Sequence, residues 1–176
     1  SNKQVIWVED RLEHLTAASS ASGRLTKLRA SINEKGLIEA LDYDQIDDVG
    51  AYPRAPEPAS LYRMHGNLSG AYKVKNIRCR NRVVLTNKTP SGLNRGFGGP
   101  QHYFALERLV HQIAVELDLN VLDVIKVNLL EKKQFPYKSP SGALLDSGDF
   151  QKLVRKVVKS STYKNILKKK INAIKN

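Results

Sequence analysis

The sequence predicts an α+β fold, with a β-hairpin and further strands in the N-terminal half followed by helices in the C-terminal half. Two observations carry this reading: extended apolar runs separated by turn residues up to about residue 92, and a change to helical apolar spacing from Pro100 onward. At 176 residues, with 41% hydrophobic and 26% charged side chains, the chain can bury a sizeable core and lacks the composition of a disordered segment. No apolar run approaches the roughly 18 residues that a membrane span requires. One cysteine, Cys79, excludes an internal disulfide, a cysteine-only zinc site and a protein-held iron–sulfur cluster, and it suits a reducing, cytoplasmic compartment. Ser1 and Asn2 read as a tag-cleavage scar, so the chain is expected to be a piece of something longer.

The elements follow in order. Val5, Ile6, Trp7 and Val8, within Gln4 to Glu9, predict a short buried strand, and Asp10 stands where a helix over about 10–18 would begin. Leu25, Leu28, Ala30 and Ile32 precede Asn33-Glu34-Lys35-Gly36, and Leu37, Ile38, Ala40, Leu41, Tyr43 and Ile46 follow it, which predicts a hairpin whose turn uses the positive φ of Gly36. Three prolines between Pro53 and Pro58 remove ladder donors, so residues 50–70 are expected to be a loop with one helical turn. Tyr72, Val74, Ile77, Cys79, Val83, Val84 and Leu85 form the next extended run, with Cys79 expected as a small buried apolar side chain. It ends at Asn87-Lys88-Thr89-Pro90-Ser91-Gly92.

Tyr103, Leu106, Val110, Ile113 and Leu117 then recur on one face of a helix over about 101–117, started by Pro100, whose missing N–H has no partner to lose in a first turn. A shorter helix over about 121–129 follows. Phe135 to Gly142 reads as a proline-bound loop, and Ser147 or Asp149 caps a helix that begins near Phe150.

The net charge of +12 is unevenly placed. After Asp149 there is no acid, while nine lysines and arginines lie between Lys152 and Lys175, so residues 1–151 carry only +3. Leu153, Val154, Val157 and Val158, then Ile166, Leu167, Ile171 and Ile174, recur at helical spacing, making the lysines the wet faces of one or two amphipathic helices. Residues 1–160 are therefore taken as the domain segment and 161–176 as a lysine-rich amphipathic helix or tail. No aromatic interleaving supports base stacking there, so nucleic acid is disfavoured as a partner.

Among groups that could carry chemistry, Asn94-Arg95-Gly96-Phe97-Gly98-Gly99-Pro100 stands out, because it lies between a strand and a helix. Glycines there expose backbone N–H groups, the helix start adds a positive dipole end, and Arg95 adds a bidentate donor, an arrangement suited to an anionic or oxo-rich ligand. A tight turn with an exposed arginine is the plainer reading. The loop lacks the Gly-Lys-Ser/Thr ending of a P-loop. His14, His65, His102 and His111 are scattered, which argues against a metal ligated by the protein, and Glu9-Asp10 and Asp47-Asp48 read as exposed turn or cap residues. Nothing resembles a nucleophile elbow.

The run from Leu85 through Gln101 closely resembles a hallmark of the molybdenum hydroxylases, the xanthine dehydrogenase, aldehyde oxidase and carbon monoxide dehydrogenase large-subunit family. Val5 to His14, Val49-Gly50-Ala51-Tyr52, Tyr72 to Ile77, Ala105-Leu106-Glu107-Arg108, and Phe135-Pro136-Tyr137 through Phe150 resemble further family segments in order, so the likeness covers about residues 4–158. It implies part of a molybdopterin-binding domain. Such enzymes hydroxylate aldehydes or N-heterocycles with oxygen from water at a molybdenum–molybdopterin cofactor, and pass electrons to iron–sulfur clusters and FAD on partner domains or subunits. By position, Arg95 with Gly96, Gly98 and Gly99 matches the loop that lines the cofactor, Phe97 matches an aromatic that sandwiches a ring substrate, and Arg63 falls where xanthine-type enzymes orient substrate. Lys88-Thr89-Pro90 and Gly92-Leu93-Asn94 lean toward microbial aldehyde or carbon monoxide dehydrogenase-like subunits, but Gly96-Phe97-Gly98 replaces the cysteine-bearing loop expected for carbon monoxide oxidation. The family's first glycine-rich loop is expected before residue 4, and its second pterin-binding half, with a glutamate base, beyond residue 176. The resemblance thus implies a segment, inactive alone, that needs the remainder of the molybdenum subunit and the iron–sulfur and FAD subunits. The competing readings are a basic module for nucleic acid or an acidic partner, and a non-catalytic remnant that only assembles with partners.

Overall fold

The computed structural model describes residues 3–21 and 23–175 and has the α+β order that the sequence predicts. Ser1 and Asn2 lie outside the described residues. The first helix, α1 (Arg11–Ala17), begins at a capping box: Asp10 Oδ1 accepts from the Glu13 N–H and Glu13 Oε2 accepts from the Asp10 N–H, each at 2.9 Å. The residues before it depart from expectation. Gln4 to Glu9 form no strand, and Val5, Ile6, Trp7 and Val8 stand 74–85% exposed. A strand exists only when a neighbour takes its N–H and C=O groups, and among the described residues none does.

A three-stranded sheet has the order β1-β2-β3, from β1 (Gly23–Ile32), β2 (Ile38–Asp48) and β3 (Asn76–Val84). Asn33 shapes the β1–β2 turn, its Oδ1 accepting from the Lys35 and Leu37 N–H groups at 3.0 and 3.1 Å, and Gly36 takes φ +73° as the turn chemistry predicts. The third strand starts four residues later than the apolar run. Tyr72 makes only an isolated bridge to Leu129, and Val74 is buried outside any strand. The proline-rich stretch holds α2 (Ala59–Tyr62) and a single 3₁₀ turn, His65–Asn67.

Beyond them run α3 (Gly99–Glu116), α4 (Val121–Asn128), a short ribbon of β4 (Tyr137–Lys138) with β5 (Leu144–Leu145), α5 (Phe150–Lys159) and α6 (Ser161–Lys175). The ribbon replaces the plain loop expected at 135–142. Asp149 is the cap of α5, accepting from the Lys152 N–H at 2.8 Å. The lysine-rich end forms two helices; the side chains of Ile174 and Lys175 lie outside the described residues. Among the described residues no helix is long and apolar enough to cross a membrane.

The chain divides into two compact units. One comprises Arg29–Leu41, Gly66–Ile77 and Leu106–Asn176, with an aliphatic core in which Leu106, Val110, Ile113 and Ala114 form the buried stripe of α3. Leu117, just past the last residue of that helix, is only half-buried although its N–H still donates to Ile113 O at 3.1 Å. Asn128 is the polar hub: its Oδ1 accepts from the Ile38 N–H, and its Nδ2 donates to the Gly36 and Val124 carbonyls, all at 2.8 Å. A side chain fully removed from water is thereby satisfied on both ends.

The other unit comprises Ser1–Leu28, Asp42–His65 and Arg78–Ala105, and its interior mixes apolar Val49, Ala59 and Leu61 with buried polar side chains. Tyr43, Gln45 and Asp47 point inward from β2 beside buried Glu57, Ser91 and His102. Arg24 meets Asp47 through two hydrogen bonds, at 3.1 and 3.0 Å, with both side chains buried. This corrects the expectation that Asp47-Asp48 is an exposed pair, since the strand alternation sends Asp47 inside, where a guanidinium must accompany it. On the opposite face of β2, Arg78 pairs with Asp42, and Arg80 and Arg82 with Asp44, at 2.6 to 2.8 Å. Cys79 is half-buried rather than buried, its thiol pushed up by partial burial.

Candidate functional site

The site lies in the second of these units, on the loop that joins β3 to α3. Its first part is tied down by backbone: the Thr86 N–H donates to Gly50 O, the Ala51 N–H to Lys88 O, the Ser91 N–H to Val49 O and the Gly92 N–H to Ser20 O, at 2.9 to 3.0 Å. Gly50 is required there, at φ +79°, because a Cβ would stand 2.5 Å from the Thr89 carbonyl oxygen. Asp48, at the end of β2, accepts from the Gly50 N–H, the Thr86 hydroxyl and Lys88. Chiefly the Lys88 bond, then those from Thr86 and Gly50, bring its pKa down to about 2.

The second part is the glycine turn. The Phe97 N–H donates to Asn94 O at 3.1 Å and the Gly99 N–H to Gly96 O at 2.9 Å, while Asn94 Oδ1 accepts from the Arg95 N–H at 2.8 Å. Gly96, Phe97 and Gly98 all have positive φ, at 96°, 43° and 85°. For Phe97 this is a strained conformation of the kind that clusters at ligand sites, costing on the order of 1–3 kcal/mol. Pro100 and the start of α3 follow at once, and His102 in its first turn is buried, stacked on Tyr43 with ring centroids 5.4 Å apart and met edge-on by Tyr103 at 5.2 Å.

An open cleft of about 730 Å³ faces this turn, lined by Pro56, Arg63, Leu93, Arg95, Gly96 and Phe97 among others. The Arg63 guanidinium carbon lies 5.0 Å from the centroid of the Phe97 ring. The structure therefore brings Arg63, Arg95, Gly96 and Phe97 to one wall although Arg63 is remote in sequence. Gly98 lines a smaller cavity of about 100 Å³ on the same loop, and Gly99, buried at the start of α3, lines neither. Sequence reasoning missed Glu57 and Gln101, which line the smaller cavity, and His102 beneath the turn. The signal for Glu57 was its place between Pro56 and Pro58; a lone histidine after Pro100 gives none. Among the described residues no group of three or more His, Cys, Asp or Glu side chains could hold a metal ion.

A turn of left-handed residues, bare at Gly96 and Gly98 and carrying the Phe97 ring, at a helix start and beside two arginines, has the chemistry to receive a flat, oxygen-rich or anionic group. Residues 1–129 match the molybdopterin cofactor-binding domain family, and the chain belongs to it. It is 28% identical over 167 residues to the carbon monoxide dehydrogenase large chain of Hydrogenophaga pseudoflava, covering 92% of this chain and 20% of that one. Among solved structures it is similar to quinoline 2-oxidoreductase from Pseudomonas putida, with TM-score 0.85, 25% identity and coverage of 95% of this chain and 22% of that one. The Cu,Mo-carbon monoxide dehydrogenase gives TM-score 0.83 at 26% identity, covering 96% and 22%. The chain thus spans about a fifth of the length of these relatives. The residues present fit the family's cofactor. Gly96 lets the turn pack against Pro100, where a Cβ would stand 2.7 Å from Cγ, and the exposed Arg95 with the positive end of α3 complements oxygen-rich groups.

Proposed function

We propose that this chain is a segment of the cofactor-binding subunit of a molybdenum hydroxylase that oxidatively hydroxylates aldehydes or N-heterocycles with oxygen from water. The observation that carries the reading is the single wall on which Arg63, Arg95 and Phe97 meet a turn strained at Phe97. When bound, the molybdenum–molybdopterin group supplies the two-electron oxidation, and iron–sulfur clusters and FAD on partner domains or subunits take the electrons. The chain's own residues bind and orient. Arg95 with Gly96 and Gly98 holds the cofactor side, and Gly99, its N–H donated to Gly96 O, fixes the turn before the ligand arrives. Phe97 gives a ring substrate a flat apolar surface, and Arg63 orients it. The remainder of the molybdenum subunit supplies the rest of the cradle. Residues 1–160 form the domain segment in this reading, and 161–176 an appended amphipathic helix.

The test is made in the complete enzyme, with kinetic constants normalised to bound molybdenum. Phe97→Ala is expected to weaken capture of ring-shaped substrates, removing a stacking surface that contributes on the order of 1 kcal/mol beyond buried area, so chiefly KM moves. Arg95→Ala is expected to lower molybdenum content or turnover for every substrate. Near wild-type constants and metal content for both variants would remove this loop from the active site.

A further inference from the structure

The last two helices carry charge that nothing near them in the sequence balances. Lys152, Arg155, Lys156, Lys159, Lys164, Lys168, Lys169 and Lys170 lie on α5 and α6, no acid follows Asp149, and none of these side chains makes an ion pair among the described residues. Apolar side chains stand among them. Leu153 and Val157, one turn apart on α5, and Ile166, Leu167 and Ile171 on α6 are all exposed, and from Ser161 to Ala173 only Tyr163 is partly covered. At about 100° per residue, Ile166, Leu167 and Ile171 fall within about 140° of arc. Lys164, Lys168 and Lys169 border that arc, and Lys170 lies inside it on a stem long enough to carry its ammonium clear of the apolar surface.

An aliphatic strip ringed by lysines is poorly suited to protein or nucleic acid. Lysine is depleted from protein interfaces, because taking an ammonium out of water is costly, and the exposed strip has no aromatic ring on which a base could stack. A bilayer surface accepts both kinds of side chain: the aliphatic ones enter the boundary between headgroups and acyl chains, and the lysines stay among anionic headgroups. We propose that α6, with the exposed edge of α5, is an interfacial docking element for an anionic lipid surface. It lies along that surface, since among the described residues no helix is long and apolar enough to cross a membrane. The proposal is independent of the cofactor reading, because every residue it uses belongs to the unit that does not carry the site loop.

The 176-residue chain is mixed with vesicles of phosphatidylcholine, and with vesicles of equimolar phosphatidylcholine and phosphatidylserine, and partitioning is read by co-sedimentation. Binding to the anionic vesicles is expected to be on the order of a hundredfold tighter and to weaken with added salt. Lys164→Gln, Lys168→Gln and Lys169→Gln combined should weaken it on the order of a hundredfold, about fivefold for each charge. Ile166→Ser with Ile171→Ser should weaken it on the order of tenfold or more, and deletion of residues 161–176 should abolish it. In a Trp7→Phe chain, Leu167→Trp should shift its fluorescence to the blue on the anionic vesicles as the ring enters the interface. The substituted side chains are exposed, so the variants are expected to keep the wild-type circular dichroism and melting temperature. Equal partitioning into the two vesicle types, no partitioning, or binding that survives the deletion would overturn the proposal. So would sedimentation with no blue shift and no effect of the isoleucine substitutions, which would reduce the contact to charge alone. Poly-glutamate or duplex DNA bound as tightly as the anionic vesicles would overturn it too, since the helices would then be a general surface for polyanions.

Discussion

Asp48 concentrates three donors on one carboxylate at the foot of the site loop, and its acid response follows. Its pKa lies near 2, below the ordinary 3.8, because Lys88, Thr86 and Gly50 favour the ionised form. A carboxylate whose folded pKa is depressed stabilises the fold fully above its unfolded value and loses that contribution as pH falls through the folded one. The melting temperature should therefore fall between about pH 4 and pH 2. Asp48→Asn should start lower at neutral pH and show a shallower fall across that window, measured by circular dichroism. Equal slopes for the two proteins would show that Asp48 is not responsible. The same residue shows how sequence reading can be half right. An acid at a turn or cap was legible, but the donors that hold it, the Gly50 N–H, the Thr86 hydroxyl and Lys88, come from two separate stretches of chain, the latter two on the loop after β3.

Among the elements, the β1–β2 turn and α4 depend on one another through Gly36. At φ +73° only glycine is unstrained, and a Cβ would stand 3.2 Å from Val124 Cγ2 and 3.4 Å from Leu119 Cδ1. Gly36→Ala should therefore destabilise by ~1–2 kcal/mol, read as a lower urea midpoint with an unchanged slope. An unchanged midpoint would mean that the turn relaxes freely. The turn residue was visible in the sequence from its place after Asn33-Glu34-Lys35. That α4 stands against it was not, because Asn128 reaches the Gly36 carbonyl across a long stretch of chain.

At the scale of the molecule, the C-terminal helices leave much of their apolar surface in water. Leu153, Val157, Ile166, Leu167 and Ile171 are 43–61% exposed, so α6 buries little of the chain's own core. Deleting residues 161–176 removes five lysines and should shift stability by no more than about 0.5–1 kcal/mol while changing solubility markedly. Thermal melting and saturation concentration of the truncated chain check this; a large drop in Tm would show that α6 is structural.

By itself, the sequence determined whatever depends on neighbours a few residues away. The α1 capping box needs only Asp10 and Glu13, the α3 stripe only the spacing of Leu106, Val110 and Ile113, and the hairpin turn only Gly36 after its polar run. The resemblance of Leu85 to Gln101 likewise placed the candidate loop, because its residues are contiguous. Tertiary structure decided what depends on distant partners. It put Asp47 inside with Arg24, stacked His102 on Tyr43, and set Arg63 over Phe97. It also left Val5 to Val8 exposed, although their composition suits a buried strand. Apolar character states only that a segment gains from being covered, whereas the hydrogen-bonding edge and the packing surface that cover it must be supplied by other parts of a fold.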